Sequence, residues 1–401
     1  MPAISPLMRD TTPPPVMEAR RWIAGLRFPP ERPLINLSQA APVEPPPEPL
    51  REAMATMVRT EADTHLYGPV LGLPALRAAV ASRWSAAYGG RIEPADVAIT
   101  PGCNLAFCAA VATLAAPGDA VMLPVPWYFN HQMWLTQTGI EVVPIPCGEG
   151  MLPDLDAARA RMSPRVRAIA LVSPNNPTGA EYPAALVAGF ARLARERGIA
   201  LVLDETYRDF DSRAGAPHGL FADPGWRETL VHLYSFSKAY RLTGHRVGAI
   251  VADPALLAQA ETFLDTAAIC APLLGQKAAL WGLENLGPWV AGERAEILRR
   301  RAAIAAGIAR LPGWRLMGCG AYFAYVSHPS AEDAATLARR LVTEQSLLVL
   351  PGTMFGDPAD PARARELRIA FANADTDGIA ELIARLEAAT AAGLVSRGTS
   401  A

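Results

Sequence analysis

The chain has 401 residues, a formal net charge of -2 and five cysteines. That length holds two domains and a sizeable core. The near balance of charge excludes a polyanion or an acidic membrane surface as the natural partner, so neither nucleic acid nor membrane is expected. Cys103, Cys108, Cys147, Cys270 and Cys319 are odd in number and lack metal-ligand spacing. They read as reduced thiols in a cytoplasmic protein with no metal site. The N-terminal residues lack the apolar stretch of a secretory signal, and no apolar run is long enough to span a bilayer.

The first fifty residues are rich in proline, with Pro13-Pro14-Pro15, Pro29-Pro30 and Pro45-Pro46-Pro47. Proline cannot continue a helix, so residues 1–50 are expected to form an extended arm lying across the rest of the molecule. Helical spacing returns near Glu52. Apolar strand candidates then follow at 97–100, 120–123, 142–145, 168–173, 199–204, 230–234 and 247–252. Ala/Leu/Arg-rich helical segments such as 184–197 lie between several of them. This alternation predicts an α/β domain over 51–290, built on a mostly parallel seven-stranded sheet buried on both faces. After Pro288 the pattern changes. A long helix to about Leu311, short strands at 322–327, 347–350 and 367–371, and helices at 331–344 and 375–391 predict a smaller α+β domain over 291–401.

Chemistry-bearing residues sit where those strands end, the place where open α/β sheets bind ligands. Thr100-Pro-Gly102-Cys103-Asn104 follows the first strand and opens a helix, where backbone N–H groups can meet an anion. Leu171-Val-Ser-Pro-Asn-Asn176-Pro-Thr-Gly179 turns after the fourth, with Asn176 restrained by the proline that follows it. Asp204 ends the fifth, with Tyr207 three residues on. Taken singly, each fits an ordinary turn or cap as well. The sixth leads into Ser235-Phe-Ser237-Lys238-Ala-Tyr-Arg-Leu-Thr-Gly-His-Arg246. The chain writes 35 of its cations as Arg and only two, Lys238 and Lys277, as Lys. Arg cannot lose its proton, whereas a Lys can do so and attack a carbonyl to form a Schiff base. Lys277 reads as a helix-surface cation. Around Lys238, Ser235, Ser237 and Arg246 offer hydroxyls and a fork-shaped cation suited to a phosphate. An amine, a carboxylate, a phenol, an amide and a phosphate cup together match the demands of pyridoxal phosphate.

The motifs Ser-x-Ser-Lys-x-x-x-x-x-Gly-x-Arg at 235–246, Asn-Pro-Thr-Gly at 176–179 and Asp-x-x-Tyr at 204–207 stand in this order. With them the chain resembles the fold-type I pyridoxal-phosphate enzymes, specifically the class I/II aminotransferases of the aspartate aminotransferase superfamily, from about Ile35 to Phe371. The resemblance implies that Lys238 carries the cofactor as a Schiff base and moves a proton at the substrate Cα. It implies that Asp204 pairs with the ring nitrogen, and that Tyr207 and Asn176 bond the ring oxygen. Gly102, Cys103 and Asn104, with Ser235, Ser237 and Arg246, would hold the phosphate. Tyr128, in Pro126-Trp-Tyr-Phe-Asn130, would stack on the ring. Tyr67 would reach the phosphate of a neighbouring subunit, which implies a homodimer with shared active sites. Arg368 would clamp the substrate carboxylate through its bidentate fork. Ala40 stands where the family usually has glycine, in the segment that closes over the substrate. The arginine by which dicarboxylate-specific relatives read a side-chain carboxylate is missing. An ungapped match puts Asp265 there, facing a cationic side chain if the register holds.

The implied activity is a ping-pong transfer of an amino group from an L-α-amino acid to a 2-oxo acid. A lyase, or an oxidase or hydroxylase acting on a free amino acid, would use the same apparatus. A regulator with a DNA-binding domain is disfavoured, because the residues before the match lack room for one and carry no basic stripe.

Overall fold

The computed structural model describes residues 2–391. In chain order its strands are β1 (Ile35–Asn36), β2 (Val97–Thr100), β3 (Ala120–Val125), β4 (Glu141–Pro146), β5 (Val166–Val172), β6 (Ala200–Asp204), β7 (Leu230–Ser235), β8 (Gly248–Val251), β9 (Arg315–Gly320), β10 (Phe323–Ser327), β11 (Leu347–Leu348), β12 (Leu350–Pro351) and β13 (Glu366–Ile369). Seven of them form one sheet in the order β2-β8-β7-β6-β5-β3-β4. Only β8 runs against the others. β5, β6 and β7 are buried along almost their whole length, as strands covered by helices on both faces must be. The apolar runs therefore read continuously rather than alternating, and each seven-strand expectation finds its strand.

A second sheet, β12-β13-β10-β9, is antiparallel, and β1 pairs in parallel with β11. The helices Gly287–Arg310, Ala334–Gln345 and Thr376–Ala391 pack beside it. Its core joins Ile304, Ile308, Leu337, Leu341, Val326, Leu382 and Leu386. Tyr207 and Phe210, which follow β6 of the large sheet, are part of that same core. Tyr207 lies 5.4 Å from Tyr322 and 5.2 Å from Phe323, ring centre to ring centre.

Two expectations need correcting. The proline-rich arm is not extended throughout: it contains helices α1 (Pro6–Asp10) and α2 (Pro15–Ile23). Each begins at a proline, where the missing N–H would have had no partner within the helix and the fixed φ suits the first turn. Strand β9 has no counterpart among the expected strands. Its Gly318 and Gly320 lower strand propensity, but they are needed where the strand crosses the Asn-Pro-Thr-Gly turn. A Cβ on Gly320 would lie 2.3 Å from the Gly179 carbonyl oxygen. Gly179 has φ +72°, and a Cβ there would lie 2.4 Å from the Gly320 nitrogen. The two sheets thus meet backbone to backbone at this turn.

Candidate active site

The parallel strands end at one edge of the large sheet, and antiparallel β8 begins there. Residues after β2, β3, β5, β6 and β7, together with Arg246 before β8, therefore converge. A cavity of about 420 Å³ lies at this edge, and its wall includes Ala40, Cys103, Asn104, Tyr128, Asn176, Asp204, Tyr207, Ser235, Ser237, Lys238, Arg246 and Arg368. Gly102 stands directly behind this wall. It has φ +85°, and a Cβ there would lie 2.4 Å from Arg246 Nη2. Only glycine lets the guanidinium settle over the start of the helix Cys103–Leu114.

Lys238 Nζ donates to the Ala40 carbonyl at 2.9 Å and lies 5.7 Å from the centre of the Tyr207 ring. Burial, then the nearby Arg246 and Arg368, pull its pKa down to about 8. The amine is thus readily available in its neutral, nucleophilic form.

Asp204 is only 4% exposed. Burial works against its charge, but His131 and the Thr206 N–H outweigh that and hold its pKa below the usual carboxylate value. The Thr206 N–H donates to Asp204 Oδ1 at 2.9 Å. His131 Nε2 lies 3.5 Å from Asp204 Oδ2, longer than a well-formed hydrogen bond. Glu205, the next residue, is not in the cavity wall. It is buried against His232 at 2.9 Å and His218 at 3.5 Å, anchoring the turn from behind.

Arg368 is 2% exposed. It donates to Asn176 Oδ1 at 3.1 Å and to the Ser38 carbonyl, and its Nε has no partner. The rings of Phe355 and Phe323 lie 4.8 and 5.2 Å from its guanidinium carbon. Burial lowers its pKa to about 10, so it remains a cation. Tyr128 donates to Asn104 Oδ1 at 3.1 Å and accepts from Asn130 at 2.9 Å. Burial, with Asp204 close by, raises its phenol to about 12. Burial also raises the Tyr207 phenol and the Cys103 thiol well above their ordinary values, so both keep their protons.

Two residues named from the sequence lie elsewhere. Tyr67 is 78% exposed and outside the cavity of its own chain. Asp265 is exposed on the helix Pro254–Ala268 and is likewise absent from the wall. The sequence reading missed His131, Thr206, Asn130, Arg20 and Gln39. His131 offered one faint signal, lying three residues after Tyr128 and hence on the same side of a helix.

A buried amine of lowered pKa, a carboxylate kept ionised in an apolar floor, a glycine-backed anion cup and a buried guanidinium define an enzyme site for an amine-reactive, phosphorylated cofactor. The family model for aminotransferase class I and II matches residues 32–386. The chain is 32% identical over 313 residues to an arginine–pyruvate transaminase of Pseudomonas aeruginosa, covering 77% of this chain and 78% of that one. It is 31% identical over 362 residues to a valine–pyruvate aminotransferase of Mycobacterium tuberculosis, covering 88% and 90%. Its fold superposes on an aspartate aminotransferase mutant of Thermus thermophilus with a TM-score of 0.87 at 25% identity, covering 97% of this chain and all of that one. The N-succinyldiaminopimelate aminotransferase of M. tuberculosis matches equally well, with TM-score 0.87, 26% identity and the same coverage.

The chain belongs to the class I and II aminotransferase family. It is an aminotransferase and its cofactor is pyridoxal phosphate. The lyase and oxidase alternatives gain no support from these relatives. The residues fit the cofactor: Arg246, Ser235 and Ser237 line the cavity beside the start of the helix Cys103–Leu114, a donor set suited to a phosphate, and the ionised Asp204 in the same wall suits a protonated ring nitrogen. No helix among the described residues is long and apolar enough to cross a membrane.

Proposed function

We propose that Lys238 forms the Schiff base, that Arg368 binds the α-carboxylate of an L-α-amino acid, and that a 2-oxo acid accepts the amino group in a ping-pong cycle. When bound, pyridoxal phosphate supplies a carbonyl carbon that condenses with amines and a ring that takes up the electron pair left at Cα. Asp204, held ionised beside His131 and Thr206, would keep the ring nitrogen protonated. Ser235, Ser237, Arg246 and the first N–H groups of the helix Cys103–Leu114 would hold the phosphate. Tyr128 would lie against the ring, and Asn176 and Tyr207 would bond its oxygen. Lys238, as a free amine in the same cavity, would be the base that takes the proton from the substrate Cα. The observation that carries this reading is the convergence of Lys238, Asp204 and Arg368 on one cavity.

The assembly proposed is a cytoplasmic homodimer in which Tyr67, exposed in its own chain, completes the partner's phosphate site. Each chain divides into the arm 1–50, the cofactor-binding domain 51–290 and the small domain 291–401. The contact of Gly179 with Gly320 and the Tyr207–Tyr322 pair support a close junction between the last two.

The test is the absorption spectrum of the purified protein with each amino acid of a panel, first under nitrogen and then in air. The lysine-bound cofactor band should be lost with a productive donor, a keto acid should form, and a 2-oxo acid should restore the band. Release of ammonia, or recovery that needs air, would overturn amino-group transfer.

A further inference from the structure

The arm residues Ser38, Gln39 and Ala40 engage three cations in succession. Arg368 donates to the Ser38 carbonyl, Arg20 Nη2 donates to Gln39 Oε1 at 2.9 Å, and Lys238 donates to the Ala40 carbonyl at 2.9 Å. In the function proposed above, on which this inference rests, Lys238 serves the cofactor and Arg368 the α-carboxylate. Arg20 has no assigned task.

Arg20 belongs to α2, yet it lines the same cavity as Lys238 and Arg368. Its other polar contact is Met17 Sδ at 3.9 Å. Both partners are neutral, and among the described residues Arg20 makes no ion pair. Its neighbour Arg21 does, with Glu18 at 2.7 Å. The cavity wall carries four cations, Arg20, Lys238, Arg246 and Arg368, and a single carboxylate, Asp204. The cofactor phosphate carries about two negative charges, more than Arg246 alone offsets, and the α-carboxylate takes Arg368. The cation left without a counter-charge at the mouth is Arg20, which repels an ammonium or guanidinium side chain and attracts a second carboxylate. Pro14, Val16 and Met17 line the wall beside Arg20 and give methylene groups an apolar surface.

We propose that Arg20 reads the distal group of the substrate, and that this group is a carboxylate. The enzyme then works on dicarboxylic amino acids and their 2-oxo counterparts. A guanidinium fork suits a carboxylate bidentately, and the Gln39 amide oxygen holds the fork in place until the substrate enters.

The test compares holoenzyme of wild type, Arg20→Gln and Arg20→Lys. Arg20 is solvent-exposed, so neither change threatens folding. One measurement is the ratio of kcat/KM for L-glutamate over L-alanine, with L-arginine as a third donor. The other is the dissociation constant of glutarate, which has no amine to react. We expect wild type to favour L-glutamate, and Arg20→Gln to cut the ratio and weaken glutarate about fivefold, the factor of an exposed ion pair worth about 1 kcal/mol. Arg20→Lys should fall between the two. An unchanged ratio in Arg20→Gln, or faster turnover of L-arginine than of L-glutamate by wild type, overturns the proposal. If no amino acid changes the cofactor spectrum of wild type while glutarate still binds it about fivefold better than the variant, the transfer reading fails and the carboxylate subsite stands.

Discussion

The imidazole of His131 lies flat against Phe107, with ring centres 3.7 Å apart and planes 12° from parallel, and its Nε2 faces the Asp204 carboxylate at 3.5 Å. A stacked ring cannot swing away from the carboxylate without losing the stack. His131 thus positions the Asp204 carboxylate, the group proposed above to partner the ring nitrogen.

His131→Phe should keep the packing and remove the imidazole nitrogen that faces Asp204. The folded-state pKa of Asp204 is depressed below its ordinary 3.8, so the carboxylate contributes stability above that value and loses it as pH falls through the folded value. In the variant the folded value rises, so Asp204 contributes less stability above 3.8 and has less to lose as pH falls. Denaturation midpoints of wild-type and variant apoenzyme should lie furthest apart above that window and draw together as pH falls through it. Parallel curves would count against the role.

Lys238→Ala should abolish the lysine-bound absorption band and lower turnover about a thousandfold or more. In the apoenzyme, Lys238 has a folded pKa of about 8 against an ordinary 10.5. The folded state therefore holds fewer protons between these values, and this residue's contribution to stability rises with pH across that window. Cofactor uptake should quicken as pH rises through about 8, because only the neutral amine attacks. A flat uptake profile from pH 7 to about 9 would contradict the assignment.

Arg368→Lys keeps the charge but loses the fork that spans a carboxylate. We expect kcat/KM to fall about 100-fold for all amino acid donors alike, roughly 2.7 kcal/mol, within the range for truncating a buried charge pair. The Arg20 variants act differently, since their effect depends on the donor's side chain. A donor-dependent effect of Arg368→Lys would mean the two arginines had been assigned the wrong way round.

Gly179→Ala forces a methyl group into the backbone of Gly320 and Phe323 at a left-handed φ. Overpacking and backbone strain together should cost about 2–4 kcal/mol. A lower thermal midpoint with the cofactor band intact would place the damage at the junction of the sheets. An unaltered midpoint would show that the turn can relax.

The large sheet was legible because strands buried on both faces spell themselves as unbroken apolar runs, and the polar residues that end them stand out. Asp204 and Lys238 were found in this way, and the order of their motifs carried the family resemblance. β9 was not legible, since Gly318 and Gly320 answer to a distant turn rather than to local strand preference. The helices of the arm were hidden by prolines that tolerate a helix start as readily as they stop one. His131 and Arg20 were missed for a simpler reason. Each sits on a helix whose position relative to the cavity is fixed only by tertiary packing; the three-residue spacing from Tyr128 marks His131 faintly, and nothing along the chain marks Arg20.

Antiparallel β8 has a consequence for how the centre is spaced. Lys238 follows one strand and Arg246 precedes the next at the same edge of the sheet, so only residues 239–245 separate them. A parallel neighbour would have required a crossover helix between the two. This short link ties the separation of the amine and the guanidinium, both in the cavity wall, to the geometry of a single strand-to-strand connection. Loops elsewhere on this edge can lengthen without changing it, whereas a residue inserted here would shift one group against the other.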